Sequence, residues 1–171
     1  MKLVYALGAT LSLYSLFLWN VKAEVQTQRS AHKEATRPQS PESSGLVPVE
    51  YLTGERPRPL PFSDAVRVGH LLYLSGQLGT DDNFALVPGG IQAETRQAMD
   101  RIRRILERNG SSLDHVVKCT VMLADMSEWG AMNEVYVSYF PKERLPARSA
   151  FGAVRLALDA RVEIECLATV K

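Results

Sequence analysis

Three groups of polar residues interrupt apolar stretches in ways that suit chemistry. Ser75-Gly76-Gln77 follows the apolar run Leu71-Leu72-Tyr73-Leu74, and a glycine at such a place lets a ligand approach the backbone closely. Arg148 follows Leu145-Pro146-Ala147 at the head of a strand-like run, where its planar guanidinium could clamp a carboxylate through paired hydrogen bonds. Glu163 and Glu165 alternate with Val162, Ile164 and Cys166, and a carboxyl set among apolar neighbours has a raised pKa suited to proton transfer. Each group also has a plainer reading. Arg148 and a glutamate could form a structural ion pair, Ser75 could be a turn former, and Gln77 a surface amide.

The rest of the inventory narrows the chemistry. There is no glycine-rich phosphate loop, dinucleotide fingerprint or His-Glu-x-x-His helix. His70 and His115 are the only histidines beyond the N-terminal region, so neither a Ser-His-Asp triad nor a metal cluster is expected, and no cofactor is implied. Cys119 and Cys166 are too few for a disulfide scaffold and lie in strand-like runs; they read as buried thiols, with a bridge open to them if the domain is exported. A net charge of +1 names no strongly charged partner. Arg101, Arg103, Arg104 and Arg108 invite an RNA-binding reading, but Glu94, Asp100 and Glu107 interleave with them, as on a solvated helix face. No nucleic-acid partner is expected.

These residues must be positioned by regular elements, and the periodicity supplies them. Phe62 to Arg67 and Leu71 to Ser75 read as strands around a tight Gly69-His70 hairpin. Ile91, Thr95, Ala98, Ile102, Ile105 and Leu106 recur at helical spacing, and Gly110 stops that helix. Val116 to Leu123 is a β-branched run of strand length. Ser127 is expected to cap a second helix with the stripe Trp129, Met132, Tyr136, Tyr139 and Phe140, ended by Pro141. Arg148 to Arg155 and Arg161 to Val170 complete the set as strands; in the last, Glu163, Glu165 and Leu167 share one face. The order β-β-α-β-α-β-β predicts an α+β domain over residues 57–171, with two helices packed on one face of a mixed sheet.

Ahead of that domain, Lys2 precedes an apolar run from Leu3 to Trp19, and Val21-Lys22-Ala23 suits a signal peptidase. Residues 1–23 are therefore expected to be a signal peptide cleaved after Ala23, giving a periplasmic or secreted protein. The alternative is a membrane anchor, which would be the chain's one membrane contact. Residues 24–56 are rich in Gln, Ser, Pro and charged residues, without apolar period, and are read as a flexible linker.

Taken in order, these segments resemble the Rid (reactive intermediate deaminase) family, also called YjgF. The matching stretches are Leu71-Leu72-Tyr73-Leu74-Ser75-Gly76-Gln77, Glu94-Thr95-Arg96-Gln97, Val116-Val117-Lys118-Cys119-Thr120-Val121, Asn133-Glu134-Val135-Tyr136, Leu145-Pro146-Ala147-Arg148-Ser149 and Val162-Glu163-Ile164-Glu165-Cys166. The resemblance covers roughly residues 58 to 170. It implies a chorismate-mutase-like fold, a homotrimer with a central barrel and sites in the clefts between subunits. It also implies hydrolysis of enamines and imines, such as 2-aminoacrylate and related 2-imino acids, to 2-keto acids and ammonia. By the same resemblance Arg148 binds the substrate carboxylate, Glu163 positions or activates the attacking water, and Ser75, Gly76 and Asn133 line the site.

The chain departs from the family pattern in three places. Leu60-Pro61-Phe62 stands where many members have Gly-Pro-Tyr, so Phe62 lacks a hydroxyl at a site-lining position; Ala150 stands where many have cysteine; and Phe151-Gly152-Ala153 replaces the commoner Val-Glu-Val. Two other readings accompany deamination: a non-catalytic trimeric module that binds small carboxylates, and an endoribonuclease or translation inhibitor, an activity ascribed to some relatives.

Overall fold

The structure, a computed structural model, describes residues 45–55 and 59–170. The expected signal peptide or anchor and most of the expected linker lie outside those residues. The end of that linker is not linker-like: Val49–Leu52 forms strand β1, antiparallel to β2 (Ala65–Val68), with Val49 opposite Val68 and Leu52 opposite Ala65. Four residues are too few to show a period, and the strand is fixed by its pairing with β2. The sheet thus begins ahead of Pro57, and Phe62 lies in a bend before β2 instead of within it.

Strand β2 turns through Gly69-His70 into β3 (Leu71–Leu74), with Val68 opposite Leu71 as the hairpin reading requires. The chain then breaks at Ser75-Gly76 and resumes as β4 (Gln77–Leu78). Helix α1 (Gly90–Arg108) follows. It buries Ile91, Ala98, Met99, Ile102, Ile105 and Leu106, and it ends where Gly110 takes φ +76° and the Ser111 N–H donates to the Leu106 carbonyl.

Strand β5 (Val116–Leu123) leads to helix α2 (Trp129–Val137). The entry to that helix is capped by Asp125, not the expected Ser127: the Asp125 carboxylate accepts the Ser127 N–H at 2.8 Å and a 3-10 turn intervenes before Trp129. The helix also finishes before Pro141, at Val137, and tightens into i→i−3 hydrogen bonds through Phe140. Strands β6 (Ala147–Gly152) and β7 (Val162–Thr169) close the domain.

The sheet order is β1-β2-β3-β7-β5-β6, with β4 also paired to β7. Among the described strands only β5 and β6 run parallel, joined by α2, as a parallel pair requires a crossover. One sheet face carries Leu72, Leu74, Cys119, Val121, Leu123, Val162, Ile164, Cys166 and Ala168 into a core shared with α1 and α2. The expected alternation along β7 is observed: Val162, Ile164, Cys166 and Ala168 are buried, whereas Glu163, Glu165 and Leu167 face away from the helices.

Candidate active site

Arg148 lies on β6, one of the two edge strands of the described sheet. Its register partner on β5 is Cys119, whose own partner on β7 is Cys166, and the two cysteines form a buried disulfide. Register partners point to the same face, so Arg148 projects toward the helices, next to α2. There its guanidinium donates to Asn133 Oδ1 at 2.5 Å and lies over two rings, 4.8 Å from the centroid of Tyr136 and 5.7 Å from that of Trp129. Trp129, Asn133 and Tyr136 share one helical face, at i, i+4 and i+7. No carboxylate among the described residues pairs with Arg148, so the ion-pair reading of this arginine is not what the chain builds. An arginine stacked on aromatic faces with most of its donors unused is held in place while keeping its capacity for an anion.

Glu163 belongs to a second cluster. Tyr73 stands opposite Leu167 and Gln77 opposite Ile164, so four steps along β3 and β4 match three along β7. Ser75-Gly76 is therefore a bulge, a device that re-aims side chains beside sites. The bulge is tied down from several directions. Ser75 Oγ donates to the Ser63 carbonyl at 2.7 Å, and Gln77 Nε2 donates to the carbonyls of Ser75 and Gly76. Gln77 is itself held by Arg101 Nε at 3.1 Å. A Cβ at Gly76 would land on the Glu163 carboxylate, so glycine is what lets that carboxylate lie against the backbone. Burial, reinforced by the neighbouring Glu165 charge, raises the Glu163 pKa.

The two clusters are separate within one chain. Glu163 is in register with Met122, on the face of β5 opposite to Cys119, so Glu163 and Arg148 point to opposite sides of the sheet. Ser75 and Gly76 accompany Glu163, and Asn133 accompanies Arg148. Phe62 is half-exposed in its loop, and Ala150 packs against the core two residues beyond Arg148. Spacing puts Trp129 and Tyr136 in an apolar helical stripe and leaves Gln77 open, either part of the Ser75-Gly76-Gln77 group or a surface amide; their roles as supports come from three-dimensional neighbours that spacing does not reveal.

A cavity of about 480 Å³ lies elsewhere, lined by Gln77, Asp82, Arg101, Arg104 and Arg108 among others. Its arginines already have partners: Arg104 pairs with Asp82 at 3.8 Å, Arg108 with Asp64 at 3.3 Å, and Arg101 binds Gln77 and the carbonyls of Thr80 and Asp81. Arg103 pairs with Asp100 at 2.6 Å. The arginine-rich helix face is thus internally compensated, which weakens it as a phosphate-binding surface. The cavity holds neither Arg148 nor Glu163, and we place the candidate site at those residues.

A mixed sheet backed by two helices, with an arginine poised at one edge and a carboxylate at a bulge, is an α+β domain of the YjgF-like fold. The chain belongs to the Ribonuc_L-PSP family, described as endoribonuclease L-PSP, which matches it over residues 53–170. Among its relatives, the 2-iminobutanoate/2-iminopropanoate deaminase of Mus musculus is 45% identical over 109 residues, 63% of this chain and 80% of that protein. The RutC family protein UK114 of Drosophila melanogaster is 43% identical over 63% of this chain and 78% of that protein. Yeast Mmf1 superposes with a TM-score of 0.68 at 31% identity, covering 72% of this chain and all of that one (100%). RidA from an Antarctic Psychrobacter gives 0.62 at 33%, covering 74% of this chain and 99% of that one.

Proposed function

We propose that the protein hydrolyses 2-imino acids to 2-keto acids and ammonia in a site assembled from two copies of the chain, Arg148 coming from one and Glu163 from the other. The observation that carries this is the state of Arg148: immobilised by Asn133, Tyr136 and Trp129, yet without a carboxylate partner among the described residues. A guanidinium so prepared suits the carboxylate of a small acid. The deaminase relatives supply the reaction class.

The chemistry asks little of the protein. An imine carbon is electrophilic when its nitrogen is protonated, so the site must hold the carboxylate and aim one water. Glu163 takes a proton from that water as its oxygen bonds to the imine carbon. The resulting tetrahedral carbinolamine takes that proton back from Glu163 on its nitrogen. As the carbon–nitrogen bond breaks, the hydroxyl gives up its own proton to form the ketone, and nitrogen leaves as ammonia, which carries that last proton away as ammonium. A raised Glu163 pKa brings the carboxylate closer in basicity to this task than an ordinary surface glutamate.

A second copy also answers a problem in the fold. The sheet face turned away from the helices carries Tyr73, Phe151 and Leu167 beside Glu163 and Glu165, and Tyr73 and Phe151 are about half-exposed. Apolar side chains on an open sheet face are what association covers. A homotrimer with its sheets facing inward would do so and would bring Arg148 of one copy toward Glu163 of the next.

The test is hydrolysis of a freshly generated 2-imino acid, followed by semicarbazide trapping, with protein expressed from the full chain and with Arg148→Ala. Faster loss of the imine with wild type alone supports the reading. No acceleration across small and bulky imino acids would favour the non-catalytic carboxylate-binding module, with the missing hydroxyl at Phe62 as the first residue to restore.

A further inference from the structure

Tyr136 is 3% exposed, and its hydroxyl finds no hydrogen-bond partner among the described residues. This is unusual, because a buried tyrosine normally gives its hydroxyl an acceptor, and phenylalanine would fill the same space without an unsatisfied donor. The ring itself is well accommodated. It packs against Phe140 with centroids 5.1 Å apart and carries the Arg148 guanidinium 4.8 Å from its centroid. Packing therefore accounts for an aromatic ring at this position but not for the oxygen on it.

The surroundings suggest what the oxygen is for. Among the described residues Arg148 makes one side-chain hydrogen bond, to Asn133, and has no carboxylate partner, so a guanidinium with donors to spare lies beside a phenol that lacks an acceptor. A carboxylate bound by an arginine fork still has lone pairs to spare, since it accepts at about four positions and the fork uses two. The phenol also stays in its donor form. Burial pushes its pKa up to about 12, with the Arg148 charge pulling against that. Of the two rings at the guanidinium, Trp129 is the outer one, 42% exposed, and Tyr136 is the floor.

Resting on the reading of Arg148 as the carboxylate clamp, we propose that Tyr136 is a further substrate-binding residue, whose hydroxyl donates a hydrogen bond to the carboxylate that Arg148 holds. The site then recognises its anion by a fork and a floor donor, and the acceptor that the free chain lacks arrives with the ligand. Tyr136 binds the non-reacting end of the substrate, so its contribution is the same in ground and transition states.

The probe is 2-oxobutanoate, a carboxylate of product type that does not turn over. It is titrated calorimetrically into protein expressed from the full chain, into Tyr136→Phe and into Arg148→Ala, with Tm recorded for each. The expected result is a Tyr136→Phe variant with Tm equal to or above wild type and a Kd raised about tenfold, the size of one hydrogen bond to a charged group. In turnover the same variant shows a raised KM at unchanged kcat. Wild-type affinity in Tyr136→Phe, with binding lost in Arg148→Ala, overturns the role of Tyr136 and leaves the proposed function standing. A lowered Tm in Tyr136→Phe overturns it too, by revealing a structural partner for the hydroxyl. Undiminished binding by Arg148→Ala, or none by wild type, removes the carboxylate clamp itself and the proposed function with it.

Discussion

Arg148 and Glu163 flank the same strand but face opposite sides of the sheet, Arg148 in register with Cys119 and Glu163 with Met122 of β5. A side chain cannot pass through a hydrogen-bonded sheet, so the two act on one substrate only if different copies supply them. Mixing therefore discriminates. Arg148→Ala and Glu163→Gln are each expected to be inactive, while oligomers reassembled from an equal mixture regain about one functional site in four, since a cyclic head-to-tail interface pairs copies at random. Turnover after unfolding and refolding the two together, compared with each alone, measures this. No recovery in demonstrably mixed oligomers would mean that each copy closes its own site.

Glu163 makes a prediction about pH. Its folded pKa is raised, by burial first and by Glu165 second, so the folded state binds this proton more tightly than the unfolded chain does. The associated stability is fully present below the unfolded value of about 4.3 and is lost as pH rises through the folded value. At neutral pH the ionised carboxylate is thus a burden on the fold. Glu163→Gln is expected to have a higher Tm than wild type at pH 7, with the gap closing as pH falls below about 4. Wild-type turnover should decline in acid with a midpoint above the ordinary glutamate value, because the working form is the carboxylate. A gap independent of pH would assign the effect to packing.

Gly76 tests whether the bulge serves the carboxylate. An added methyl would meet the end of the Glu163 side chain, a group that can swing aside, instead of rigid backbone. The fold therefore tolerates Gly76→Ala better than catalysis does. Turnover is expected to fall at least about tenfold, since a displacement of about 1 Å in a positioned group can cost more than that, while Tm drops only a few degrees. Loss of the folded state would show that the bulge is needed for the sheet itself.

How much of this was legible beforehand follows the physics of each element. The alternation of β7 and the apolar spacing of α1 are read directly, because one face of each is buried by a single continuous core. Strand β1 was not legible, since four residues have no period and depend on β2 for their hydrogen bonds. Gly76 was read as room for a ligand; in the structure the group that uses the room is Glu163. The separation of Arg148 from Glu163 was hidden too. Alternation places Glu163 on a face, but the face of Arg148 depends on the parallel register of β6 against β5, which no pattern within β6 encodes.

The Cys119–Cys166 disulfide joins β5 to β7 across a sequence separation of 47 residues. Closing a loop of that length in the unfolded chain corresponds to about 4 kcal/mol by the chain-entropy relation, and native disulfides commonly contribute about 2–4 kcal/mol. Reduction is accordingly expected to lower the stability of the folded protein by an amount in that range, measured by denaturant unfolding with and without reductant. The same bond bears on the compartment. Disulfides persist where thiols are oxidised, outside the cytoplasm, and the apolar run from Leu3 to Trp19 with Ala23 behind it is the kind of segment that sends a chain there. We therefore propose export, with a mature protein that begins at Glu24 and contains no free thiol. Mass spectrometry of the protein recovered from its native host, with and without alkylation under denaturing conditions, reads both features at once. A chain that retains Met1 and alkylates at both Cys119 and Cys166 would place the domain in a reducing compartment, and the cross-strand pair would then be two packed thiols beneath the arginine site.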